Sequence, residues 1–186
     1  TDRSRGLGDV YKRQVYTDIE NTDNYDHIYQ SDLCGWVGQL GYNKDSIYGA
    51  NVFTAEGNET LKAASFYATG KDSQYELYVV RQFEDETSLE KMIPVASGKL
   101  GNAGYYTVDF NQGIEVDAGE RYAVVLYIIT PGSVHPMAIE YAADEATENV
   151  DLDDGESYIS ANGSKWVSVD TVEKSNLCIK AFSDNR

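Results

Sequence analysis

The side chains with the chemistry to act on a substrate or hold a ligand are few and scattered. His27 and His135 are the two imidazoles, and Cys34 and Cys178 are the two thiols. Nucleophilic catalysis needs a nucleophile, a base and a group that orients the base. His27 lies in a polar, Asn/Asp-rich lead-in, and His135 precedes Pro136 at the start of a strand-like segment. Each is read as an exposed or structural histidine. Cys34 lacks the sequence context of a cysteine nucleophile, and no His–Asn pair follows it at suitable spacing. No catalytic residue is expected.

Metal chemistry leaves equally little. The chain holds no HExxH and no CxxC motif. The loop Asp151-Leu152-Asp153-Asp154-Gly155-Glu156 is acidic, but the order of oxygen donors and glycine in an EF-hand loop breaks at its fifth and sixth positions. Asp151, Asp153 and Asp154 are therefore expected to form a solvated turn with at most weak Ca²⁺ affinity, and no other cofactor is expected. Carboxylate pairs suited to glycoside hydrolysis carry no signal in a chain this rich in acids, because their separation is a three-dimensional quantity.

The aromatic residues are the remaining lead. The chain has 15 Tyr, 5 Phe and 2 Trp, many for its length. Sugar faces stack on such rings, and Trp36, Tyr42, Tyr48, Tyr105, Tyr106 and Trp166 are candidate platforms. Trp166, Tyr48 and Trp36 are the foremost of these for ligand binding. Trp166 follows Asn162-Gly163, where a tight primed turn would project it beyond the sheet. The competing role is structural, since Tyr, Phe and Trp are strand formers that fill sandwich cores.

The elements that must position these rings read as strands. Arg121–Thr130 is β-branched and aromatic throughout. Residues 47–54 alternate Tyr48, Ala50, Val52 and Thr54 against Ile47, Gly49, Asn51 and Phe53. Residues 60–69 alternate through Leu61, Ala63, Ser65 and Tyr67, and residues 74–83 through Tyr75, Leu77, Val79 and Arg81. Further strands are expected at 95–100, 105–110, 114–116, 134–142 and 177–182, with a hairpin over 157–169. Residues 84–92 are the one plausible helical turn. About ten short strands separated by turn signals predict an all-β chain, an antiparallel β-sandwich of jelly-roll type.

With 186 residues the chain suits one domain with a real core. Its net charge is −16, which disfavours nucleic acid and anionic membrane surfaces as partners. No apolar run is long enough to span a bilayer as a helix. Thr1–Gln14 has four basic and two acidic residues and no strand or helix period. It is expected to be a non-native, adapter-like scar, which leaves −18 for the rest of a chain whose total is −16. Residues 15–30 read as a linker running into an edge segment, and 31–186 as the folded domain. Cys34 and Cys178 stand near the two ends of that domain, either bridged or reduced.

Five stretches in order, NTDNYDHIYQSDLCGW, YGANVFTAEGNETLKAASFYA, AGERYAVVLYIITPGSVHPMAIEY, GESYISANGSKW and NLCIKAF, resemble the lectin-like domain that accompanies papain-family cysteine peptidases in secreted proteins of Firmicutes. The resemblance covers Tyr25 to Ser183. It implies a sandwich fold, an extracellular or cell-surface location and a non-catalytic accessory role beside a peptidase domain N-terminal to it. It carries no binding residues over. Two functions follow as expectations: a module that binds carbohydrate or a cell-wall polymer, or a structural spacer that stabilises the peptidase without a ligand of its own.

Overall fold

The computed structural model describes residues 24–145, 147–152 and 155–186. The segment 1–14 and the first part of the linker lie outside the described residues. Thirteen strands run through the rest: β1 (His27–Tyr29), β2 (Gly38–Leu40), β3 (Ser46–Thr54), β4 (Glu59–Ala68), β5 (Ser73–Val80), β6 (Ile93–Leu100), β7 (Gly104–Val116), β8 (Arg121–Ile129), β9 (Met137–Glu140), β10 (Ser157–Ser160), β11 (Val167–Ser168), β12 (Asn176–Leu177) and β13 (Ile179–Asn185). A 3₁₀ turn at Glu86–Glu90 and one helical turn at Val169–Val172 complete the described elements. The fold is an all-β antiparallel sandwich, as the strand periods predict.

The strands form a six-stranded sheet in the order β11-β10-β3-β8-β5-β6, a four-stranded sheet β1-β13-β4-β7 and a three-stranded sheet β12-β9-β2. Every described pairing is antiparallel. Alternation sends Ile47 and Phe53 of β3, Leu77 and Val79 of β5, and Val124, Leu126 and Ile128 of β8 inward. They meet Leu61, Ala64 and Phe66 of β4, Val116 of β7, and Ile179 and Ala181 of β13. This is the main core, between the two larger sheets.

Three details depart from the sequence periods. Along β4 the inward set is Leu61, Ala64 and Phe66, not Leu61, Ala63, Ser65 and Tyr67. The register shifts between Leu61 and Ala63, and the extra residue exchanges the two faces beyond it. The expected strands 105–110 and 114–116 are one strand, β7, which runs through that irregularity. The hairpin between β10 and β11 has no two-residue primed turn. Gly163 has a positive φ of 75°, but Asn162 does not. Instead the Asn162 Oδ1 accepts from the Ser164 and Lys165 N–H groups, each at 3.2 Å, and builds a longer Asx-type loop.

Buried polar groups join the sheets. Asn51 on β3 is fully buried. Its Nδ2 donates to the carbonyls of Leu177 and Ile179, both at 2.9 Å, and its Oδ1 accepts from the Ser157 hydroxyl at 2.8 Å. The Ser157 Oγ in turn accepts from the Leu177 N–H at 3.1 Å. Glu59, also fully buried, accepts from the Tyr29 hydroxyl at 2.7 Å, the Ser183 hydroxyl at 2.5 Å and the Gly57 N–H at 2.8 Å. These donors hold its carboxyl below the usual range against the cost of burial. The pair of contacts clamps β1 and β13 to the start of β4.

Asp32 is buried with less support. Its side chain is fully enclosed, and among the described residues neither oxygen finds a well-formed hydrogen bond. Lys180 Nζ stands 3.7 Å away, and Glu140 and Cys178 are the other ionisable groups facing it most closely. Burial pushes the Asp32 carboxyl up to about 6, with Lys180 opposing the shift in part and Glu140 adding to it.

Two outcomes are expected. Asn51→Ala leaves two carbonyls and a hydroxyl without their partner in the core, so it should cost on the order of 3 kcal/mol. A urea titration of wild type and variant measures this, and an unchanged midpoint would contradict the bridging role. For Asp32 the raised carboxyl means that the folded state binds the proton more tightly than the unfolded chain. Stability is therefore greatest below the unfolded value near pH 4 and is lost as pH rises to about 6. Asp32→Asn should remove a pH dependence of about 3 kcal/mol over that window. The difference between unfolding free energies measured at pH 4 and at pH 7 should change by about that amount from wild type to variant, and an unchanged difference would contradict the assignment.

Candidate functional site

The outer face of the six-stranded sheet is covered along only part of its length. Ala50, Val52, Ala123, Val125 and Val80 point outward and form a second, smaller core with Phe83 and Leu89. The chain from Phe83 to Met92 lies over them. Asp85 caps the 3₁₀ turn there, its Oδ1 accepting from the Thr87 N–H at 2.9 Å. Arg121 lies 4.9 Å from the Phe83 ring and tightens this cover.

Beyond the cover the strand faces stay open. Cross-strand register places Tyr48 of β3 opposite Tyr127 of β8, Tyr127 opposite Glu76 of β5, and Glu76 opposite Ser97 of β6. The next row is Ser46, Ile129, Gln74 and Lys99 on the same four strands. The Tyr48 and Tyr127 rings stack with centroids 4.2 Å apart and planes 21° from parallel. The Tyr78 hydroxyl donates to the Glu76 carboxylate. Burial raises the Tyr48 and Tyr78 hydroxyls above their ordinary range, and the Glu76 carboxylate adds to both shifts. A groove of about 250 Å³ runs along the open rows, with Gln74, Glu76, Ser97, Lys99 and Tyr127 in its lining. Half-buried rings beside exposed amide, hydroxyl, carboxylate and ammonium groups suit a ligand with an apolar face and a hydroxyl-rich rim.

Trp166 and Tyr48 come together at this face. Their rings meet edge to face at 6.3 Å and 78°. Trp166 is half-buried in the second core, and its enclosed indole N–H has no acceptor among the described residues. It braces Tyr48 from behind. The same loop closes on Tyr48 at Gly163, where an added Cβ would lie 3.2 Å from the Tyr48 ring. Gly163 is needed there for its positive φ and for this close approach.

Trp36 is elsewhere. It packs 5.7 Å from Tyr67, which lies 4.9 Å from Tyr105, on the outer side of the four-stranded sheet. The Tyr105 hydroxyl pairs with the Ser65 hydroxyl at 2.5 Å. Tyr127, Tyr78, Glu76 and Gln74 were not singled out in the sequence. The alternation of residues 74–83 assigns Gln74, Glu76 and Tyr78 to the outward face, but nothing in the apolar run of β8 distinguishes Tyr127 from its neighbours.

The cysteines are unpaired, Cys34 exposed and Cys178 buried. The Cys34 N–H donates to the buried Glu140 carboxylate. Desolvation and that carboxylate push the Cys34 thiol up, opposite to the depression that activates a nucleophile. His27 instead bonds Asn185 at 2.9 Å and faces Glu56 and Glu59, so its pKa is raised, chiefly by Asn185. Asp153 and Asp154 lie outside the described residues, and the Asp151 carbonyl accepts from Asn176 at 2.8 Å. Among the described residues no three metal-ligating side chains cluster, and no helix is long and apolar enough to cross a membrane.

No curated protein sequence matches this chain. Solved structures do. A clostridial cysteine protease, Cwp84, after propeptide cleavage aligns with a TM-score of 0.71 at 24% identity, covering 86% of this chain and 40% of that one. The cysteine protease and lectin-like domains of Cwp84, a surface layer associated protein of Clostridium difficile, align with a TM-score of 0.72 at 23% identity, covering 91% of this chain and 38% of that one. The chain thus spans about two fifths of the length of these structures and shares their sandwich. The lectin-like domain model matches residues 28–183, from β1 to β13. This chain belongs to the lectin-like domain family.

Proposed function

We propose that this domain is a non-catalytic glycan-binding module that holds an attached cysteine peptidase at a cell-surface polymer. One observation carries the reading: Tyr48, Tyr127, Glu76 and Ser97 form a continuous row across four strands, with the two rings stacked at 4.2 Å. At an interstrand spacing of about 4.8 Å the row spans ~14 Å, enough for a short stretch of extended glycan. The rings offer an apolar platform, and Gln74, Glu76, Ser97 and Lys99 offer hydrogen bonds to hydroxyls along it. The net charge of −16 favours neutral or cationic polymers over polyanionic ones. The extracellular, surface-associated location follows from likeness to Cwp84 and belongs to the same proposal.

A ligand-free spacer or peptidase-stabilising role is the second reading. It is favoured by Leu33, which is 75% exposed, and Trp36, exposed on the same segment. Apolar side chains of this kind suit contact with a neighbouring domain.

A glycan panel probed with this chain tests the first reading. Tyr127→Ala should weaken binding by about tenfold or more, the size of a lost stacking contact at a hot spot, and lower the melting temperature by only a few degrees, the cost of the lost ring stack on Tyr48. Trp166→Ala should lower both affinity and stability, because Trp166 acts through Tyr48 and the second core. Absence of binding across the panel would leave the spacer reading. In that case Leu33→Ser with Trp36→Ala should lower the thermal stability of a protein that retains its peptidase domain.

A further inference from the structure

Glu76 is the least explained side chain of the open face. It is exposed, and no cation pairs with it among the described residues. Its one hydrogen-bond donor among those residues is the Tyr78 hydroxyl. Around it stand three tyrosines on three adjacent strands, Tyr48, Tyr127 and Tyr78, with Tyr127 directly opposite it and Tyr48 stacked on Tyr127. Lys99 lines the same groove but forms no ion pair with it. Lys99 stands opposite Gln74, one row further along β6, whereas Ser97 stands opposite Glu76. A carboxylate among electron-rich ring faces is the arrangement that recognises an organic cation, because the charge and the ring quadrupoles attract the same group. A neutral sugar would use the rings and leave the carboxylate with hydroxyl contacts alone.

We propose that Glu76 with Tyr48, Tyr78 and Tyr127 forms a subsite for a primary ammonium group carried on the bound glycan, so that the preferred ligand is a polymer containing amino sugars with free amines. This rests on the glycan-binding reading and names the ligand class for that face. The ammonium sits between the carboxylate and the exposed part of the tyrosine rings, and the pyranose that bears it lies along the row toward Ser97. The acidic character of the whole domain raises the local concentration of such a polycation.

Calorimetric titration of the full chain with tetramers of glucosamine and of N-acetylglucosamine tests the subsite. Wild type should bind the free-amine tetramer about tenfold more tightly, the combined size expected of an exposed cation–ring contact and a surface ion pair. The preference should shrink as salt is raised. Glu76→Gln keeps the shape and removes the charge. It should bring the two tetramers to within about twofold of each other by weakening the free-amine one. Tyr127→Leu should weaken both. Equal wild-type affinities, or a preference that survives Glu76→Gln, would overturn the ammonium subsite and leave the glycan reading standing. Failure of both tetramers and of every other glycan would overturn both. Binding of tetramethylammonium with no glycan bound would overturn the glycan-borne cation.

Discussion

The amide of Asn51 holds the three sheets in one arrangement. From the inner side of β3 it reaches the carbonyls on either side of Cys178, where the chain leaves the three-stranded sheet and enters the four-stranded one. Its oxygen takes the Ser157 hydroxyl from β10. A hydrophobic core is indifferent to small slides of one sheet over another, and a buried amide is not, because each lost partner carries a desolvation penalty. The proposed binding face depends on this register. Tyr48 lies three residues before Asn51, on the opposite side of the strand. A slip of one residue would turn Tyr48 into the core and separate it from Tyr127.

The outer face of the six-stranded sheet shows how one surface serves two purposes. Where Ala50, Val52, Ala123 and Val125 point outward, the face is apolar and must be covered, and the chain from Phe83 to Met92 covers it. Where Tyr48, Tyr127, Glu76 and Gln74 point outward, polar tips reach water and no cover is needed. Trp166 stands at the boundary between the two halves, its ring shared between the small core and Tyr48. The platform is thus rigid on one side and open on the other, which is what a site that takes a ligand without rearrangement requires.

The buried carboxylates divide by their support. Glu59 has hydroxyl and backbone donors and stays ionised, tying β1 and β13 to β4. Asp32 has a lysine at 3.7 Å and little else, and burial raises it instead. Desolvation pushes both the Cys34 and the Cys178 thiol up, with Glu140 adding to both and Asp32 adding at Cys178.

The strand periods of the sequence determined the class of fold and the division of β3 and β5 into two faces, because side chains two residues apart share a face. The short turn after Phe83 showed as a break in those periods, and the family showed in five ordered stretches of sequence rather than in any period. Tertiary structure decided the rest. The bulge at Lys62 exchanges the faces of β4, because the extra residue is defined only by the strands on either side. Tyr127 could not be singled out, since a strand apolar on both faces hides which residues point outward. Tyr48 and Trp166 meet while Trp36 stands apart because distance across sheets bears no relation to distance along the chain. The row Tyr48–Tyr127–Glu76–Ser97 draws one residue from each of four strands. Only their pairing, set by the core and by Asn51, makes those four residues a surface.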